Sequence, residues 1–182
     1  MTTFEDLKEL CRKACHERNA CKEGFEAMLR TESVAELMQV WRDNWQDLYE
    51  SKYADLIALH IAGVVETARI RREMRRCDMY VNESVSRGMV IVTEPTRDLF
   101  IGGNARCYVF GTEVTQPFRL TVADHAQVYC RTKGVTIEMR DHAFGFVTAG
   151  DVTLRDRAFL KGCPDTLDIR DAAKFEALNI KD

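Results

Sequence analysis

One short pattern occurs five times in the C-terminal half of this chain. Each copy has a polar turn pair, then an alanine, and then two runs in which small apolar residues alternate with other residues. The five alanines are Ala105, Ala126, Ala143, Ala158 and Ala173. The intervals between them shorten from about 21 to about 15 positions, which is too short for helical repeats and fits one coil of a β-solenoid.

Alternation along the two runs predicts which side chains point into the solenoid. The turn pairs that separate the coils are Gly103-Asn104, Asp124-His125, Asp141-His142, Asp156-Arg157 and Asp171-Ala172. Because successive side chains of a strand point to opposite faces, we expect the alanines and the alternating Val, Cys, Leu, Ile and Met residues inside. Five coils spaced by about 4.8 Å would make a rod about 24 Å long.

The N-terminal part of the chain, up to about Tyr80, has a helical periodicity instead of an alternating one. Apolar residues recur at helical spacing over residues 4–19 and 21–31. Ser33 and Glu36 form a capping box, which opens a third helix. The apolar stripe of that helix is Val34, Leu37, Met38, Trp41, Trp45 and Leu48. A further segment, from about Tyr53, keeps Leu56, Leu59, His60, Gly63, Val64 and Ala68 near one face.

These patterns predict an α+β fold with a helical domain at residues 1–82 and a β-solenoid of about five to six short coils at residues 83–182. The first strand is predicted at residues 89–92. Since one coil cannot bury its own apolar face, the stack needs covered ends, and the helical domain is expected to cap the N-terminal one. At the other end, lysines with Glu176 and Asp182 are expected to discourage edge-to-edge growth.

The composition excludes some functional classes. The net charge is −3, so no bulk electrostatic attraction to nucleic acid or to an anionic membrane is expected. No stretch approaches the roughly 20 apolar residues of a membrane span, and the N-terminal sequence lacks the pattern of a secretion signal. Seven cysteines, an odd number, then favour free thiols. We therefore expect a cytoplasmic protein.

An aromatic ladder is the most informative predicted surface. The outward positions of the first strands stack Tyr108 over Tyr129 over Phe146, with Phe110, Phe144 and Phe159 beside them and Arg106 and Arg131 among them. Aromatic residues with arginine are the composition that protein–protein hot spots favour. The same composition suits stacking of single-stranded bases or sugars, and the ladder could equally be covered by the helical domain or a second subunit.

An arginine cluster ends the helical region. Arg72, Arg75 and Arg76 fall on one helical face and would suit phosphates or an acidic partner. A cationic face at a helix C-terminus also suits the helix dipole and is commonly just solvated. The predicted partner-binding set therefore consists of Arg72, Arg75, Arg76, Arg106, Tyr108, Phe110, Tyr129, Arg131, Phe144 and Phe146.

Two other clusters offer candidate chemistry. The Asp124-His125 and Asp141-His142 corners should lie one above the other, where two imidazoles could bind a metal or perform acid–base work. Aspartate at a corner is also ordinary turn chemistry. In the second cluster, Cys11, Cys15, His16 and Cys21, the spacing fits core packing better than a zinc knuckle. No catalytic residue, metal or cofactor is predicted, and no nucleotide-binding or hydrolase motif occurs.

The strand repeats over residues 97–177, and more weakly the runs ACKEGFEAML and SVAELMQVW, carry a resemblance. They resemble a loose group of uncharacterised microbial and phage-borne proteins that join a helical N-terminal region to a coil array with A-x-V-type repeats. Hexapeptide acyltransferases differ, because their coils have one constant length and a glycine column. The likeness to phage-borne proteins implies an inhibitor of a host defence complex, such as an anti-CRISPR.

The sequence thus favours a binding protein that carries no catalytic activity and docks a macromolecule, above all a protein, on the aromatic and arginine face. Two alternatives stay open. One is a small enzyme that performs acyl transfer or metal-assisted hydrolysis at His125 or His142. The other is a self-associating structural protein, with Trp41, Trp45 and the aromatic ladder buried in a homodimer.

Overall fold

Helices come first and strands follow in the computed structural model, which describes residues 4–44, 49–64 and 68–178. The chain divides into a helical unit, Met1–Val81, and a second unit, Asn82–Asp182. The second unit is a parallel β-solenoid of about six turns, so the predicted α+β class with helices followed by short coils is confirmed. None of the helices in the described ranges has the length and apolar character that crossing a membrane requires.

The helical unit is built from short amphipathic helices. Its described elements are α1 (Phe4–Glu17), α2 (Lys22–Arg30), α3 (Val34–Asp43), α4 (Ala54–Val64), α5 (Ala68–Arg76) and strand β1 (Met79–Val81). The predicted start of α3 is present, since the Ser33 hydroxyl accepts a hydrogen bond from the Glu36 N–H at 3.2 Å. The predicted stripe of α3 is buried at Val34, Leu37, Met38 and Trp41. Trp45 and Leu48 lie outside the described residues.

The stripe predicted for helix α4 lies mainly on the exposed side of the helix. Leu56 and Leu59 are 48% and 51% exposed, and Gly63 is exposed beside them. The buried face consists of Ala54, Ile57, Ala58 and Ile61. The side chains of Val64 and Ala68 lie outside the described part of the chain. The helix sequence ADLIALHIAGV is apolar almost all the way round, so its periodicity could not single out the face that packs.

Two parallel sheets form the solenoid. Its strands are β2 (Met89–Val92), β3 (Leu99–Ile101), β4 (Arg106–Val109), β5 (Arg119–Val122), β6 (Gln127–Cys130), β7 (Thr136–Met139), β8 (Phe144–Val147), β9 (Asp151–Leu154), β10 (Phe159–Gly162), β11 (Thr166–Ile169) and β12 (Lys174–Ala177). Sheet A contains the even-numbered strands in the order β2-β4-β6-β8-β10-β12, and sheet B contains β3-β5-β7-β9-β11. Each coil from β3–β4 to β11–β12 contributes one strand to each sheet.

The coils lie in the register that the alanines predicted. The N–H of Gln127 donates to the carbonyl of Ala105, and the N–H of Phe144 donates to the carbonyl of Ala126. Ala105, Ala126, Ala143 and Ala158 are completely buried. The predicted inward residues of β5, β7 and β9 are also buried: Leu120, Val122, Ile137, Met139, Val152 and Leu154. The alternation therefore identified the core of these coils correctly.

Each predicted turn pair forms a tight corner between sheet B and sheet A. The first residue of each pair has a positive φ, between 54° and 58°, at Gly103, Asp124, Asp141, Asp156 and Asp171. The alanine N–H closes the turn on the carbonyl three residues earlier, as from Ala126 to Ala123 at 3.1 Å. Aspartate tolerates this left-handed conformation better than most residues because its short polar side chain bonds locally.

The corner aspartates also connect neighbouring coils. The Asp124 carboxylate accepts a hydrogen bond from the Gly103 N–H at 2.7 Å, and the Asp141 carboxylate accepts one from the Asp124 N–H at 3.3 Å. Asp156 and Asp171 repeat the arrangement at 3.1 and 3.3 Å. We call these four residues the aspartate ladder. The ladder supplies acceptors for backbone N–H groups at the corners, which lie between the strands of the two sheets.

Candidate functional site

The outward side chains of sheet A form two columns along the solenoid. The strand register aligns Tyr108, Tyr129, Phe146, Lys161 and Glu176 in one column. It aligns Arg106, Gln127, Phe144, Phe159 and Lys174 in the other. The predicted order of Tyr108, Tyr129 and Phe146 is therefore present, and Phe144 and Phe159 lie next to it.

Aromatic rings within each column stack on one another. The ring centroids of Tyr108 and Tyr129 are 5.0 Å apart with an interplanar angle of 16°. Those of Phe144 and Phe159 are 5.7 Å apart at 20°. Parallel strands in register place the Cβ atoms of neighbouring coils about 4.8 Å apart, which suits this geometry. Each of these four rings therefore has one π face against its neighbour.

Two of the predicted surface residues are buried. Tyr108 is 1% exposed, and Phe110 is 7% exposed. Tyr108 lies in register between the buried Ile91 and Tyr129, and burial raises its pKa far above that of a free tyrosine. Alternation along a strand separates the two faces of a sheet, but it carries no information on whether the outer face is covered. The expectation that Tyr108 and Phe110 are exposed was therefore wrong.

Four outward-pointing aromatic side chains on β6, β8 and β10 of sheet A remain partly accessible: Tyr129, Phe144, Phe146 and Phe159. We call these four residues the aromatic face. Burial raises the pKa of Tyr129, and the positive charge of Arg106 on the neighbouring strand offsets part of that rise. Arg131 follows β6 directly and is partly exposed.

Cationic side chains border the aromatic face. Arg106 and Lys174 are exposed in one column, on either side of its aromatic residues. Lys161 follows Phe146 in the other column, and its ammonium lies 2.6 Å from the Glu176 carboxylate. The surface therefore combines partly exposed aromatic side chains with a mainly positive border.

The predicted arginines of the helical unit lie on α5. Arg72, Arg75 and Arg76 are exposed, whereas Met74 between them is buried. Arg69 of the same helix pairs with Glu73 at 3.1 Å. Their role in binding phosphates or an acidic partner stays a prediction. They belong to the helical unit, and the aromatic face belongs to the solenoid.

The imidazole rings of the two histidine corners lie next to each other, but the neighbouring aspartates bond to the backbone. The imidazole centroids of His125 and His142 are 5.3 Å apart at 32°, and both rings are exposed. The carboxylates of Asp124 and Asp141 accept hydrogen bonds from the backbone N–H groups of the preceding corners. These carboxylates thus serve the aspartate ladder. Within residues 4–44, 49–64 and 68–178, no group of three or more His, Cys, Asp and Glu side chains could hold a metal ion.

The N-terminal cysteines have structural positions. Cys11 is buried, and burial raises the pKa of its thiol. The Cys21 sulfur accepts a hydrogen bond from the Gly24 N–H at 3.3 Å and so caps α2. The His16 ring packs against Phe25 at 5.0 Å. These residues accordingly take part in packing and capping of the helical unit.

The sequence interpretation missed the aspartate ladder, although its signal was present. Aspartate stands two residues before the alanine in four of the five repeats. In the sequence, turn chemistry alone accounts for an aspartate at this position, and only the stacking of the coils reveals the second role of the carboxylate. Comparisons with protein-family models, with curated proteins and with solved structures gave no match to this chain.

Proposed function

We propose that this chain is a binding protein and that a partner protein docks on the aromatic face of sheet A. The observation that carries the proposal is the set of four partly exposed aromatic side chains, held in two adjacent columns of a parallel sheet. Aromatic residues and arginine dominate the energetics of protein interfaces. Rings fixed by neighbouring strands lose little conformational freedom when a partner binds.

The stacking geometry favours a protein over single-stranded nucleic acid. A base-stacking platform needs an open π face for each base. Phe144 and Phe159 stack on each other, and Tyr129 stacks on Tyr108. Partly exposed aromatic side chains with a cationic border fit apolar side chains flanked by carboxylates. We therefore expect the partner to present an apolar patch with acidic residues around it, near Arg106 and Lys174.

The enzyme alternative has less support. A general base at His125 or His142 would need an orienting or ligating neighbour. The carboxylates of Asp124 and Asp141 are already engaged by backbone N–H groups of the corners. The more specific proposal, an inhibitor of a host defence complex, rests only on the resemblance to phage-borne sequences. It predicts that the captured partner is a subunit of such a complex.

The experiment is affinity capture from a host lysate with the double variant Tyr129→Ala plus Phe146→Ala. The matched control is Phe100→Ala, because Phe100 is an exposed aromatic residue on sheet B. We expect a partner that the wild type and the control retain and that the double variant loses. Circular dichroism should show that all three chains are folded. If the double variant retains every captured protein, the assignment of this face is wrong.

A further inference from the structure

Among the described residues, the coil formed by β11 and β12 has the most exposed interior side chains of the solenoid. Ile169 is 47% exposed, and Leu167 and Phe175 are partly exposed. The equivalent residues of the preceding coil, Leu154 and Leu160, are completely buried. Among the described residues, β12 is therefore the edge of sheet A, and apolar surface is exposed along that edge.

The backbone groups on this edge have a definite direction. The N–H groups of Lys174 and Leu178 donate to the carbonyls of Ala158 and Gly162 in the direction of β10, both at 2.9 Å. In a parallel strand, alternate residues direct their backbone groups to opposite sides. The N–H and C=O groups of Phe175 and Ala177 consequently point away from β10, and they are the groups that another strand could pair with.

We infer that the partner for this edge is a second copy of the chain, joined through an antiparallel β12–β12 pair about a two-fold axis at Phe175. In this register Phe175 lies opposite Phe175 of the partner subunit, and each N–H can donate to the other's C=O. Lys174 then lies opposite Glu176 of the partner subunit, and the two-fold axis generates this opposite-charge pair twice.

The charges select this register among the alternatives. Moving the strand by two residues would bring Lys174 opposite Lys174 of the partner subunit in one direction. In the other direction it would bring Glu176 opposite Glu176 of the partner subunit. Like charges directly opposite each other destabilise a strand pair. A two-fold pair uses the β12 edge of both copies, so no third copy can add to that edge. This agrees with the prediction that charged residues at this end discourage indefinite edge-to-edge growth.

Charge exchange tests the register. Sedimentation velocity of the wild-type chain over a range of concentrations should show a dimer. Lys174→Glu and Glu176→Lys should each raise the dissociation constant by about tenfold, since each places like charges opposite one another at two sites. The combined variant should recover a large part of the affinity. Because Glu176 also pairs with Lys161 in the same chain, thermal unfolding should be measured for every variant.

A proline at the edge tests the backbone pairing independently. Ala177→Pro removes an N–H that points away from β10, so it should abolish the dimer while β10 and β12 stay paired. The matched control Ala177→Val keeps the N–H and should keep the dimer. The inference is overturned if the wild-type chain is monomeric at all concentrations. It is equally overturned if a dimer forms but neither Ala177→Pro nor the single charge variants weaken it.

Discussion

The Asp124 carboxylate accepts a hydrogen bond from the backbone N–H of Gly103 at 2.7 Å, although the two residues are 21 positions apart in the chain. Asp124 itself has a positive φ of 58°. The same residue therefore makes the corner of its own coil and stabilises the corner of the coil before it. This double role is repeated at Asp141 and Asp156, so the ladder adds hydrogen bonds between coils at the corners to those that the two sheets supply.

Substitutions at Asp124 should separate the two roles. Asp124→Ala loses both the hydrogen bond and the tolerance for positive φ, and we expect it to lower the free energy of unfolding by about 2 kcal/mol. Asp124→Gly keeps the backbone freedom and should cost about half as much. Asp124→Asn keeps an acceptor and should cost least. Urea unfolding of the three variants gives the order. Equal losses for alanine and glycine would show that the backbone conformation contributes nothing.

Two glycines of sheet A should respond differently to the same substitution. A Cβ at Gly162 would lie 1.8 Å from the backbone carbonyl oxygen of Val147, so Gly162→Ala should strongly destabilise the solenoid. A Cβ at Gly145 would approach the flexible end of the Met139 side chain at 2.7 Å. Gly145→Ala should therefore be tolerated with a loss of about 1 kcal/mol. Thermal unfolding compares the two variants, and equal destabilisation would contradict this explanation.

Alkaline conditions should destabilise the solenoid through its buried thiols. Burial raises the pKa of Cys130 from 9.0 to about 11, and burial raises the pKa of Cys107 in the same direction. A folded-state pKa above the unfolded value means that stability is fully present below pH 9. It is then lost as the pH rises towards 11, by about 3 kcal/mol for Cys130.

Urea unfolding at several pH values measures this dependence. Cys130→Ala should flatten the loss of stability above pH 9, because the variant has no thiol to ionise at that position. Val128→Ala is the matched control, since it removes a buried apolar group from the same strand and leaves both thiols in place. An unchanged pH dependence in Cys130→Ala would exclude this thiol as the cause.

The cap of α3 offers a test in the helical unit. The Ser33 hydroxyl accepts a hydrogen bond from the Glu36 N–H. Ser33→Ala removes that acceptor and should lower the free energy of unfolding by about 1 kcal/mol. Ser33→Asp restores an acceptor and should recover most of the loss. Far-ultraviolet circular dichroism during urea titration follows the helices, and a neutral Ser33→Ala would show that the cap contributes nothing.

The solenoid could be predicted because its evidence is local and repeated. The column of Ala105, Ala126, Ala143 and Ala158 follows from strand alternation and coil length. Because the same position recurs in each coil, several residues support each inference. Helix α4 has no such redundancy. Its sequence is apolar on nearly every face, so the exposure of Leu56 and Leu59 depended on which neighbours packed against the helix.

The candidate site likewise has features that the sequence predicts and features that only the folded structure determines. Residue order alone determined that Tyr129 and Phe146 share a column, because parallel strands in register convert a repeat into a vertical alignment. Tertiary structure decided that Tyr108 and Phe110 are buried and that the corner carboxylates bond to the neighbouring coil. A strand's alternation specifies the directions of its side chains. Burial and hydrogen-bond partners depend on groups far away in the sequence, and only the folded chain brings those groups together.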